Sequence, residues 1–235
     1  VSSLCYRPFF KGVIFIVFLL ATSCATYDAK YLGEKLDKKS VIDKKIEKSF
    51  FLIGDAGGSE IGETSDALKA LKKHTSSLNT EGDYTIFLGD NIYPSGMPEK
   101  NSDSRALAEH NLDVQIEAMS DFDGKTVFIP GNHDWYSNGL KGLKREEDYI
   151  KKALKDKTSF QPDKGCPIEK INVSDNVVIL ALDTQWYIED WDKNPTINDN
   201  CEIKSRNAFI LEIEGELKKN GNKTILVAMH HPAYT

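Results

Sequence analysis

From Phe50 onward the chain is divided into five short apolar runs: Phe50–Ile53, Tyr84–Leu88, Thr126–Ile129, Val177–Leu182 and Thr224–Ala228. Runs this short, rich in β-branched and aromatic residues, read as buried strands. Between them Ala67, Leu68, Leu71 and Leu78 fall at helical intervals, as do Ala108, Leu112, Ile116 and Met119. The same spacing recurs at Leu143, Ile150 and Leu154, and at Phe209, Ile213 and Leu217. Strands that alternate with helices predict an α/β chain whose sheet is covered by helices. No solenoid-like repeat or low-complexity tract competes with that division.

The residues just past each strand are more specific. Ile53 gives way to Gly54-Asp55-Ala56-Gly57, Leu88 to Gly89-Asp90-Asn91-Ile92-Tyr93, and Ile129 to Pro130-Gly131-Asn132-His133-Asp134. Leu182 leads into Asp183-Thr184, and Ala228 into Met229-His230-His231. Open α/β sheets bind ligands beyond the carboxyl ends of their strands. Glycine beside a polar residue there permits a sharp turn and leaves room for a ligand to approach. One Gly-Asp is an ordinary turn, but several strand ends carrying carboxylate, amide or imidazole make a donor set. The mixture of Asp55, Asp90, Asn132 and His230 suits zinc, iron or manganese, and one carboxylate can bridge two such ions, an arrangement used on phosphate esters. Asp183 reads as a strand-end cap, and His74 and His110 as surface or packing residues on helices. Trp135 and Tyr136 read as aromatic filling of their loop, with a pocket wall as the alternative.

The ordered set Gly54-Asp55, Gly89-Asp90, Gly131-Asn132-His133-Asp134 and His230 resembles that of the calcineurin-like metallophosphoesterases. Tyr93, three residues after Asp90, narrows the resemblance to the purple acid phosphatase branch. "GDNIYPSG" (89–96) and "GNHDWYSN" (131–138) are similar to the small, tartrate-resistant type, and "VAMHHPAYT" (227–235) is similar to its histidine turn. The resemblance covers about residues 50–235 and implies a four-layer α/β/β/α sandwich. It implies a ferric ion, Fe(III), held by Asp55, Asp90 and Tyr93. It also implies a second divalent metal (zinc, iron or manganese), held by Asn132 and His230 and bridged by Asp90. The implied reaction is hydrolysis of phosphomonoesters by a metal-bridging hydroxide, on small phosphorylated substrates or phosphoproteins. His133 reads as a donor to phosphate or a general acid, oriented by Asp134; Asn91 and His231 read as substrate-binding residues. The metal ligands do not separate a phosphatase from a phosphodiesterase or nucleotidase on the same centre. The alternative of another class, a surface lipoprotein that binds without catalysis, predicts an eroded ligand set.

The resembled family's last motif, a Gly-His-x-His turn giving one histidine to each metal, has no counterpart here, and the chain starts at Val1. The expectation is a fragment, with a second sheet left incomplete, weak metal binding and little turnover from these 235 residues alone.

At the other end, Arg7 and Lys11 precede the apolar run Gly12–Ala21. That run is too short to span a bilayer, which needs about 20 apolar residues, so residues 1–23 read as an export signal. Ala21-Thr22-Ser23-Cys24 resembles a bacterial lipobox with alanine where leucine is usual, which implies a lipidated Cys24 and a lipoprotein anchored to a membrane, facing the periplasm or the cell exterior. The plainer alternative is a secretory signal cleaved nearby. Residues 24–48, with seven lysines from Lys30 to Lys48, read as a solvated tether. Residues 49–235 are then the catalytic domain. In an exported chain Cys166 and Cys201, both in loop-like surroundings, are either a disulfide or two unpaired thiols. A net charge of −6 gives no reason to expect nucleic acid, and means that a phosphorylated substrate needs a local positive centre.

Overall fold

The computed structural model describes residues 46–77 and 81–233. The expected export signal, Cys24, the expected tether up to residue 45, residues 78–80 and the last two residues lie outside the described residues. Among the described residues, six strands form two three-stranded sheets. In the first, β1 (Phe50–Ile53), β2 (Tyr84–Leu88) and β3 (Lys125–Ile129) run parallel in that order. In the second, β4 (Ile168–Ser174) pairs antiparallel with β5 (Val177–Leu182), which pairs parallel with β6 (Thr224–Met229). The helices are α1 (Asp66–Ser77), α2 (Arg105–Ala118), α3 (Asn132–Trp135), α4 (Leu140–Leu154), α5 (Thr184–Ile188) and α6 (Arg206–Lys219).

Strand side chains alternate between faces, and here both faces are apolar. Tyr84, Ile86, Val127 and Ile129 of the first sheet pack against Ile179, Ala181 and Ala228 of the second. Phe87, Phe128, Leu180 and Leu182 belong to the other faces and cluster with helix residues such as Leu68, Leu112, Leu143, Ile150 and Phe209. The layer order is therefore helix, sheet, sheet, helix, which is the expected α/β/β/α arrangement. Parallel strands joined by helices put the carboxyl ends of β1, β2 and β3 on one rim, and β5 and β6 end in register, Leu182 opposite Met229.

Three elements escape a reading of periodicity. β4 (IEKINVS) mixes Glu169 and Lys170 with Ile168 and Ile171, is only half-buried, and changes register between Asn172 and Ser174, so its alternation is interrupted. The helices α3 and α5 are about one turn long, too short to show a period. Among the described residues no helix is long and apolar enough to cross a membrane.

Cys166 and Cys201 form a disulfide, with their Cα atoms 5.4 Å apart. It ties the segment between α5 and α6 to the approach to β4. Closing a loop of 35 residues restricts the unfolded chain and contributes about 2–4 kcal/mol. The double variant Cys166→Ser/Cys201→Ser is expected to unfold at correspondingly lower urea, a shift read from equilibrium denaturation of both proteins under oxidising conditions.

Candidate metal centre

The ends of β1 and β2 are laced together by backbone. Asp55 N donates to Gly89 O at 3.1 Å, Gly57 N to Asp90 O at 3.1 Å, and Tyr93 N to Gly57 O at 2.9 Å. Asp55 and Asp90 both take left-handed backbone, with φ of 56° and 53°. Aspartate tolerates that region better than most residues, yet it still costs on the order of 1–3 kcal/mol, and such outliers gather at functional sites. The end of β3 presses in from the other side. A Cβ on Gly131 would sit 2.3 Å from Asp90 N and 2.4 Å from Asp90 Oδ1, so only glycine lets the two turns touch.

Five polar side chains converge where these turns meet β6. Asp55, Asp90 and His230 each bring one donor atom within 4.8 Å of the others. The Tyr93 hydroxyl lies 2.8 Å from Asp55 Oδ1 and 2.6 Å from Asp90 Oδ2. His230 Nε2 lies 3.1 Å from Asn132 Oδ1 and 3.4 Å from Asp90 Oδ1. The amide of Asn132 is oriented by its Nδ2, which donates to the Tyr136 hydroxyl at 2.6 Å and so turns Oδ1 toward His230. Asp90 is the common member, since its two oxygens reach Tyr93 on one side and His230 on the other.

The chemistry of this set fits cations. His230 Nδ1 faces the carbonyl of Leu88 at 2.9 Å, and a carbonyl only accepts, so Nδ1 carries the hydrogen. With that hydrogen on Nδ1, Nε2 is the nitrogen that faces Asn132 Oδ1 and Asp90 Oδ1, the position from which its lone pair can share a cation with them. Tyr93 has one proton and two carboxylates against it. Burial, then the bonds to Asp90 and Asp55, hold its phenol well above the usual tyrosine range. A cation with more than one positive charge reverses that balance and favours the phenolate.

His133 stands beside the donors. Its Nδ1 donates to Pro94 O at 2.6 Å, its backbone N–H donates to Asp90 Oδ1 at 2.9 Å, and its Nε2 lies 3.9 Å from Asp90 Oδ2. The ring is set between Tyr93 and Tyr136, with centroids 4.4 and 4.8 Å away. The orienting group is thus the Pro94 carbonyl. Asp134, expected to hold His133, instead turns inward and is fully buried. Its carboxylate accepts from Gly131 N at 2.8 Å, Asn91 N at 3.0 Å and Ile92 N at 3.1 Å, which pins the β2 and β3 turns to each other.

Asn91 also departs from its expected role as a substrate-binding residue. It has no exposed surface, and its Nδ2 reaches Ile129 O at 2.9 Å, Glu146 Oε1 at 3.1 Å and Asp134 Oδ2 at 3.3 Å. The chain turns at the left-handed Asp90, so Asp90 enters the site while Asn91 enters the core. Glu146 of α4 is a participant that the motifs do not point to. Burial raises both Glu146 and Asp134; Asp134 reaches about 7 with the charge of Asp90 adding to it, and the proximity of Asp134 raises Glu146 further. Gln115 of α2 completes the frame by donating to Asn91 O at 2.8 Å.

The remaining candidates lie around the rim. His231 bonds the Thr184 hydroxyl through Nδ1 at 2.7 Å and lines an apolar hollow with Phe209 and Met229, beside the donors rather than among them. Asp183 caps α5, accepting from Trp186 N at 3.0 Å, and holds Trp135 Nε1 at 3.1 Å; burial pushes its carboxyl up to about 8.

Comparison with known proteins agrees with this geometry. The family model for calcineurin-like phosphoesterases matches residues 48–235. No curated protein matches the chain.

Proposed function

Because this chain belongs to the calcineurin-like phosphoesterase family, whose chemistry is metal-dependent hydrolysis of phosphoesters, we propose that it is an iron-dependent phosphatase of the purple acid phosphatase branch, acting on phosphomonoesters. The observation that carries the finer reading is the Tyr93 hydroxyl, directed at carboxylate oxygens of both Asp55 and Asp90. A phenolate in that position is a hard anionic donor, suited to a ferric ion. Asp55, Asp90 and Tyr93 would hold that ion; Asp90, Asn132 and His230 would hold a divalent zinc, iron or manganese. Cations held there supply charge that neutralises phosphate and makes water a nucleophile near neutral pH.

The chain's own residues have separable tasks. The Pro94 carbonyl fixes the His133 ring with its proton on Nδ1, which leaves Nε2 directed at the centre. Protonated there, His133 donates to a phosphate oxygen or to the departing alcohol. Tyr136 keeps Asn132 Oδ1 turned inward. Asp134, Asn91 and Gln115 keep the β2 and β3 turns from moving apart. The reading includes export and anchoring through Cys24, supported by the order Arg7, Lys11, Gly12–Ala21 and Cys24.

The test is spectroscopic and kinetic together. The purified protein loaded with iron and zinc is expected to show a visible charge-transfer band, and Tyr93→Phe is expected to lose it while keeping its far-ultraviolet circular dichroism. The same preparation should hydrolyse p-nitrophenyl phosphate faster than its bis-ester. A colour that survives Tyr93→Phe overturns the iron assignment, and a preference for the bis-ester overturns the phosphomonoester assignment.

A further inference from the structure

Beside the metal centre lies a second hollow of about 490 Å³, lined by Trp135, Tyr136, Ile188, Glu189, Asp190 and Asn194 among others. Its size is within the range that receives small organic ligands. It adjoins the centre through Tyr136, whose hydroxyl holds Asn132 at 2.6 Å and whose ring lies 4.8 Å from that of His133. A substrate whose phosphate sits at the centre has this hollow as neighbouring space for the rest of the molecule.

The charge of the hollow is one-sided. Two carboxylates line it, and among the described residues no lysine, arginine or histidine does. Asp190 is ion-paired with Lys193 at 3.0 Å. Glu189 is held differently. Its Oε2 accepts from Gln185 Nε2 at 2.8 Å and its Oε1 from Asn194 Nδ2 at 2.9 Å, two neutral amides that fix the carboxylate without cancelling its charge. Arg206 donates to the backbone carbonyls of Tyr187 and Glu189 with its guanidinium over the Trp191 ring, and it is not among the residues that line the hollow. Tyr136, also a lining residue, is 55% exposed and brings an aromatic ring to the hollow. A positioned carboxylate and an aromatic face together favour a cation, and disfavour an anion or a bare hydrocarbon.

We propose that this hollow is the leaving-group subsite, and that it takes an alcohol bearing a positively charged amine, so that the substrate is a phosphate monoester of an amino alcohol. The inference rests on the phosphatase reading above and narrows it to a substrate class. In the reaction one water is added across the P–O bond: its oxygen ends on phosphate, a proton ends on the departing alcohol oxygen, and the ammonium group is unchanged. The role of the hollow is to distinguish alcohols by charge.

Choline phosphate and 3,3-dimethylbutyl phosphate have the same shape and differ by one positive charge, which makes them the probes. Their affinities for the metal-loaded protein are measured by calorimetry and their kcat/KM by phosphate release, with p-nitrophenyl phosphate as reference. The wild-type protein is expected to favour the charged ester by about tenfold in both, and Glu189→Gln to bring that ratio to within about twofold of unity. The wild-type comparison decides the question without the variant, so a misfolded variant does not blunt the test. Equal affinities for the two esters in the wild type overturn the subsite and leave the phosphatase reading intact. Preferential binding of the charged ester with no turnover of any ester overturns the phosphatase reading, and the leaving-group role with it.

Discussion

Asp90→Asn is expected to lose metal and turnover together. No other side chain of the centre reaches both flanks: Oδ2 lies against the Tyr93 hydroxyl, and Oδ1 against His230 Nε2 and the His133 amide. Asparagine keeps the shape and removes the charge. It also places an N–H₂ group against either the phenol or the imidazole, and an amide nitrogen has no lone pair to give a cation. We expect kcat/KM on p-nitrophenyl phosphate to fall by about 10³ or more, the scale of losing one preorganised electrostatic group. Metal content, read by atomic emission after gel filtration, should fall below that of the wild type by at least one ion per chain. Because the left-handed turn and its backbone bonds are unchanged, the melting temperature without added metal should move little. A variant that keeps both ions and full turnover would remove Asp90 from the role of shared ligand.

The second large effect is on stability. Asp134→Ala leaves the amides of Gly131, Asn91 and Ile92 without their acceptor in a fully buried place. Each buried donor left unsatisfied costs about 1–3 kcal/mol, so the loss is on the order of 3–5 kcal/mol. For a domain of this size the melting temperature then falls by roughly 10 °C or more, measured by circular dichroism of both proteins side by side. If Asp134 instead served mainly to orient His133, the variant would melt like the wild type and lose only activity. That outcome would overturn its structural role.

These two aspartates mark the line between what local sequence encodes and what it does not. Asp55, Asp90, Asn132 and His230 come after apolar runs that are recognisable as strands, and each stands next to a glycine or in a short polar turn. The convergence of such turns is a consequence of strand direction, so it is legible from local sequence. The direction of individual side chains is not. Adjacency to site residues groups Asn91 and Asp134 with the substrate side, but a left-handed turn or a single helical turn puts neighbours on different faces. The partners of Asn91 come from 24 to 55 residues away, through Gln115, Ile129 and Glu146, and no local pattern encodes that. Glu146 does leave a trace. It lies with Leu143 and Ile150 on the buried face of α4, and an acid inside an apolar stripe has to find a polar partner in the interior. The disulfide is undecidable from spacing alone, and β4 is hidden by its half-exposed face and interrupted register.

The placement of Asp90 and Asn91, adjacent in the chain and facing opposite ways, has a dynamic consequence. Rigid-body displacement of Asp90 drags Asn91 out of its bonds to Ile129 and Glu146, and so opens the interior between β2, β3 and α4. The candidate metal corner is thereby tied to the buried interior, unlike the exposed loops that carry many binding sites. Sub-global opening is a costly route to exchanging an ion in such a corner, which leaves entry and exit through the solvent-facing side, past Asp55 and Tyr93, as the kinetic path.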